Sequence, residues 1–108
     1  MDSLLVITNL PQRESAEKLA ALLIERRLAA CVNILAPCTS IYRWQGELQR
    51  DAEHPLLIKT TQGRYAELEA VIRANHPYEL PEIIAVPVVH GLPAYLAWVE
   101  SETHDESA

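Results

Sequence analysis

Leu56-Leu57-Ile58-Lys59-Thr60-Thr61 repeats the pattern of Leu4-Leu5-Val6-Ile7-Thr8-Asn9, and this internal likeness decides the fold. Both are short apolar runs containing β-branched residues, with little polar alternation, as strands covered on both faces require. Each opens a strand, helix, strand half, so the chain reads as two copies of one βαβ unit. Two such units predict an α+β fold, a ferredoxin-like βαββαβ sandwich of four antiparallel strands with the two main helices on one face. Lys59 takes the place of Ile7 in this pairing.

The segments between the repeats follow from periodicity. Ala16, Leu19, Ala20 and Leu23 recur at i, i+3, i+4 and i+7, which predicts a helix starting between Gln12 and Ser15 and reaching about Arg27. A second strand is expected over 30–35, broken or bent at Pro37 and resuming with alternating polarity over 40–45. Gln45-Gly46 is the tip of a long central hairpin, with Gly46 supplying a positive φ and Trp44 and Glu47 flanking it. Pro55, at the start of the third strand, lacks a ladder donor and suggests a bulge or an edge. A second helix over 64–75 carries Tyr65, Leu68 and Ile72 on one stripe and stops at Pro77. The fourth strand spans 83–89. Pro93 then opens an extra C-terminal helix whose apolar face is Leu92, Tyr95, Leu96 and Val99. Residues 1–100 form a single domain, and 101–108 an acidic flexible tail.

Composition excludes several classes of function. The chain has 108 residues and a net charge of −6, with Arg26-Arg27 as its one basic doublet, so clustered cations for a nucleic-acid partner are missing. Strands 4–8 and 56–60 also lack the aromatic residues on which an RNA-binding sheet stacks bases. No export signal or apolar run approaching about 20 residues is visible, which excludes a membrane partner and predicts a cytoplasmic protein with Cys31 and Cys38 reduced. There is no G-x-S-x-G and no glycine-rich phosphate loop, and only three glycines in all, so neither an enzyme nor an organic cofactor is expected.

The strands are greasy on both sides. Leu4 and Val6 point one way and Leu5 and Ile7 the other; Ile83 and Ala85 likewise oppose Ile84, Val86 and Val88. Two helices cover one face only, and the short last helix part of the second. The open face is therefore expected to form the core of an oligomer.

Chemistry concentrates over residues 74–89, where Pro77 and Pro81 space His76, Tyr78, Glu79 and Glu82 along an irregular connection. Lys59, in the middle of an apolar strand, must reach solvent or find an anion, with Glu79 or Glu82 as partner. That arrangement is either a structural ion pair or a cleft for an anionic or polar ligand. Tyr42 and Trp44 share one face of the hairpin, and either pack against a neighbouring subunit or wall a pocket. Cys31 is either a small apolar filler or a soft copper ligand joined by His76 and His90 across subunits, because no H-x-x-x-H or C-x-x-C is present. His54 and His104 read as solvent histidines.

Five ungapped stretches carry a family resemblance. They are Glu25-Arg26-Arg27-Leu28-Ala29-Ala30-Cys31-Val32-Asn33-Ile34, Ser40-Ile41-Tyr42-Arg43-Trp44-Gln45-Gly46-Glu47, Leu56-Leu57-Ile58-Lys59-Thr60-Thr61, His76-Pro77-Tyr78-Glu79-Leu80-Pro81-Glu82-Ile83 and Tyr95-Leu96-Ala97-Trp98. Together they resemble the CutA divalent-cation-tolerance family from about residue 4 to 100. The resemblance implies a ferredoxin-like fold, a homotrimer similar to the PII signalling proteins, and a role in tolerance of copper and other divalent cations. It marks Cys31, Tyr42, Trp44, Lys59, His76, Tyr78, Glu79, Pro81 and Glu82 as residues gathered at clefts between subunits. Copper binding through Cys and His leaves Cys31, His76 and His90 as candidate ligands, since the first strand ends in Thr8 where some members carry a cysteine. The expected function is a non-catalytic trimeric binding protein for a divalent metal ion or small molecule; the alternative is a PII-like signalling trimer that holds a small anionic metabolite at Lys59 and Glu82.

Overall fold

The computed structural model describes residues 2–105. The elements run in the order β1 (Ser3–Leu10), α1 (Arg13–Glu25), β2 (Cys31–Ile34), β3 (Cys38–Trp44), β4 (Glu47–Thr61), a 3₁₀ turn (Gln62–Arg64), α2 (Tyr65–Ala74), β5 (Ile83–Pro87) and α3 (Pro93–Glu102). The main sheet has the order β2-β4-β1-β5 with every neighbouring pair antiparallel, which is the ferredoxin-like arrangement. The chain makes five strands rather than four, because the stretch after Pro37 is a separate strand that pairs only with β4.

β4 is one continuous strand of 15 residues. Its second half lies in the main sheet and its first half forms an arm with β3, which stretches the molecule to 44 × 28 × 22 Å. The arm closes at Gln45 (φ 50°) and Gly46 (φ 81°), two left-handed residues that match a hairpin turn to strand twist. Pro55 causes no bulge: register is unbroken across it. Its carbonyl accepts from the Leu35 N–H (2.9 Å), and the Leu35 carbonyl, which would take the N–H that proline lacks, receives the His54 Nδ1–H instead (3.3 Å). His54 is thus half-buried and bonded, not a solvent histidine.

The core lies between one sheet face and the first two helices. Leu4, Val6, Leu10, Leu56 and Ile58 meet Leu19 and Leu23 of α1 and Leu68 and Ile72 of α2. α1 ends in a Schellman turn. Arg27 takes the left-handed conformation (φ 56°), the Leu28 N–H reaches back to the Leu23 carbonyl at 2.9 Å, and both leucines are buried. The Arg64 guanidinium donates to the carbonyls of Arg27 (3.2 Å) and Arg26 (3.3 Å), placing a cation at the negative end of α1. At the end of α2 the Asn75 amide donates to the Val71 carbonyl (2.8 Å) before Pro77.

α3 lies on the other sheet face, against β4 and β1. The polar tail begins later than residue 101: Ser101 and Glu102 complete α3, and Thr103 is 1% exposed, donating to the Val99 carbonyl at 2.8 Å. Residues 106–108 of the expected tail lie outside the described residues. α3 leaves much of its sheet face open, with Ile84 49% and Val86 43% exposed.

Candidate functional site

The open sheet face carries two separate polar constellations at opposite ends. Residues 31 and 33 of β2, 55, 57 and 59 of β4, and 5, 7 and 9 of β1 share this face by register. Lys59 sits at one end. Its ammonium donates to the Asn33 side-chain oxygen and lies 3.8 Å from the Cys31 sulfur. The Tyr95 phenol of α3 closes the cluster, its pKa raised by burial first and then by the charge of, and a hydrogen bond to, Cys31. Within one chain the expected Lys59 pairing with Glu79 or Glu82 does not form: Glu82 is held at Asn9, which registers with Pro55, four residues or about 13 Å of extended β4 from Lys59. Lys59 therefore belongs to the Cys31 cluster and not to the cleft with Tyr42, Trp44, Tyr78, Glu79 and Glu82. Sequence spacing missed Asn33, which becomes visible only once β2 is registered beside β4.

At the other end is a groove of about 650 Å³ between the hairpin arm and the 77–82 connection. Alternation along β3 puts Ser40, Tyr42 and Trp44 on one side of the arm, and pairing adds Asp51 and Glu53 of β4 to that side. The Tyr42 hydroxyl donates to the Asp51 carboxylate, which together with burial and the neighbouring Glu53 raises the phenol's pKa. Across the groove, burial first and then a hydrogen bond to Glu53 push the Tyr78 phenol well above its ordinary range.

His76 holds the connection to β1. Its Nδ1 accepts the Tyr78 N–H (3.1 Å), so Nε2 carries the proton it donates to the Asn9 carbonyl at 2.7 Å. The imidazole is the neutral Nε2–H tautomer, and both nitrogens are used. Asn9 is the second anchor, its amide donating to Glu82 at 3.1 Å. Neither Asn9 nor Glu53 stands out in sequence. The signals present were the position of Asn9 at the end of the first apolar run and the place of Glu53 two residues before Pro55.

The expected metal ligands are not gathered within one chain. Cys31 lies at the level of Lys59 and Leu5; His76 lies at Asn9, four residues or about 13 Å further along β1. His90 follows Val88, whose N–H bonds the Ser3 carbonyl at the opposite end of β1 from Asn9. Among the described residues, no three His, Cys, Asp or Glu side chains converge as a metal site. An ammonium beside Cys31 also opposes a divalent cation there. The groove itself presents Glu53, Glu79 and Glu82 and no Lys or Arg, so the anionic-metabolite reading finds no counter-charge in it.

An antiparallel α+β sandwich with an open apolar face and an acidic, aromatic groove defines a small domain of the ferredoxin-like class. The profile described as "CutA1 divalent ion tolerance protein" matches residues 4–102, and the chain belongs to that family. It is 47% identical to the "Divalent-cation tolerance protein CutA" of Thermus thermophilus, an alignment covering 95% of this chain and 99% of the relative. It is 41% identical to "Protein CutA, chloroplastic" of Arabidopsis thaliana, covering 95% of this chain but 57% of that longer protein. The crystal structure of CutA1 from Oryza sativa superposes with a TM-score of 0.94 at 39% identity, covering 98% of this chain and 97% of that one. The family is named for ion tolerance, not for a catalytic activity. Among the described residues no helix is long and apolar enough to cross a membrane.

Proposed function

We propose that the chain is a non-catalytic trimeric binding protein of cation tolerance, acting in the cytoplasm and taking up copper or another divalent cation at sites completed between subunits. The observation that carries this reading is the open sheet face, where Leu5, Leu57, Ile84 and Val86 stand beside an acidic groove. A patch of this kind marks an interface, and the number three comes with the family likeness. The free thiols of Cys31 and Cys38 agree with a reducing compartment.

The donors available to a metal divide by chemistry. Cys31 is the soft ligand copper prefers, but it must exchange the contact with Lys59 for the metal. His76 can ligate only by giving up Tyr78 N–H or Asn9, whereas His90 is exposed and makes no side-chain hydrogen bond among the described residues. A site therefore requires Cys31 of one copy and His90, or a released His76, of another.

Native mass spectrometry of the reduced, metal-free protein titrated with copper tests both parts. The expected result is a trimer that takes up a fixed number of copper ions and loses that uptake in Cys31→Ser. A monomer refutes assembly through the open face; a trimer that stays bare at excess copper refutes direct metal binding.

A further inference from the structure

Beyond metal, the groove between the hairpin arm and the 77–82 connection has the chemistry of a different ligand, and we propose that it binds a small organic cation, an alkylammonium or guanidinium compound. The proposal rests on the reading of the chain as a binding protein, and it names the ligand class of the groove.

Three observations point to that class. Glu53 is 7% exposed and lines the groove. No Lys, Arg or His among the described residues forms an ion pair with it. A carboxylate on a largely buried residue, with no cationic side chain of the described residues paired to it, favours a cation beside it. Second, the walls are aromatic. Tyr42, Trp44 and Tyr78 line the groove, and ring faces attract a poorly hydrated cation that carboxylates alone would share with water. Third, the carboxylates are spread. Glu53, Glu79 and Glu82 line one space of about 650 Å³ but do not converge to metal-ligand spacing. A compact divalent ion needs several oxygens within about 2.6 Å of one point. A cation with charge distributed over a carbon frame can meet one carboxylate at each end while its body lies on the rings. Glu82 is held in position by the Asn9 amide, and Glu53 is buried on the arm that faces it across the groove.

Isothermal titration calorimetry of the full chain, metal-free, with agmatine as probe tests this, since that molecule carries a guanidinium and an ammonium and no acid. Saturable binding is expected, weakened about tenfold or more by Glu53→Gln and by Trp44→Leu and falling as salt rises. Trp44 lies near the hairpin tip outside the core cluster, so its variant keeps the test sound should Glu53→Gln unfold, which circular dichroism reports. Absence of saturation up to about 10 mM overturns the proposal, as does binding that both variants leave unchanged. If agmatine binds only protein first loaded with copper, or is displaced by copper alone with a fixed stoichiometry, the groove is a metal site and the class is wrong. Copper uptake by a trimer that ignores agmatine sinks this inference and leaves the proposed function standing; agmatine binding by a chain that takes no copper does the reverse.

Discussion

His76→Phe removes both imidazole nitrogens while keeping a planar ring of similar reach. The structure assigns those nitrogens two hydrogen bonds, Nε2–H to the Asn9 carbonyl at 2.7 Å and Tyr78 N–H to Nδ1 at 3.1 Å. Each net bond contributes about 1 kcal/mol, and more where a half-buried partner is left unpaired, so the loss sums to about 2–3 kcal/mol. The imidazole centroid sits 4.8 Å from that of the Tyr78 ring, and the added apolar area of a phenyl ring in its place offsets a fraction of this loss. His76→Gln retains a donor near the Nε2 position and should cost about half as much. Urea denaturation at one fixed protein concentration, needed if the chain is oligomeric, measures both. With a slope of about 2 kcal/mol per M, His76→Phe should lower the midpoint by about 1 M. Equal costs for Phe and Gln, or a loss below about 0.5 kcal/mol for Phe, would refute the assignment of His76 as a bolt between β1 and the 77–82 connection, and would return it to the candidate metal ligands.

Two further outcomes follow from groups the fold constrains. The Thr8 hydroxyl is buried and has no hydrogen-bond partner among the described residues, so Thr8→Val, which swaps it for a methyl of the same shape, should raise stability by about 1 kcal/mol in the same denaturation experiment; a loss of stability would mean the hydroxyl is satisfied. Tyr42, Tyr65, Tyr78 and Tyr95 all have pKa values raised above 10.0, so the folded chain keeps protons the unfolded chain releases. Their neutral forms hold the fold at full strength below about pH 10, and stability should fall as pH rises from there through the folded values. A spectrophotometric titration should show phenolate appearing together with unfolding; phenolate formed at ordinary pH in a still-folded chain would contradict these environments.

Much of the fold was legible because local chemistry sufficed for it. The hairpin tip at Gln45-Gly46, the end of α2 before Pro77 and the entry of α3 at Pro93 each depend on what one or two residues permit in backbone angle, and all three stand where the pattern put them. Pro55 suggested a bulge or an edge: the bulge does not form, since register with β1 is unbroken, but β2 pairing ends at Leu56, so β4 is an edge on that side and His54 donates to the Leu35 carbonyl in place of the missing N–H. Tyr42, Trp44, Tyr78, Glu79 and Glu82, marked as a set by the family resemblance, line one groove of the folded chain, whereas Lys59, marked with them, stands beside Asn33 and Cys31.

The sequence by itself determined the duplication of a βαβ unit, the apolar character of both sheet faces and the concentration of polar chemistry after α2, since all three are written in periods of two or 3.6 residues and in proline positions. Only the tertiary structure decided which charges meet. Lys59 found Asn33 and Cys31 instead of the loop acids, and Glu53 became a buried carboxylate facing the groove, because strand register joins residues far apart in the chain and separates by about 20 Å residues on the same strand.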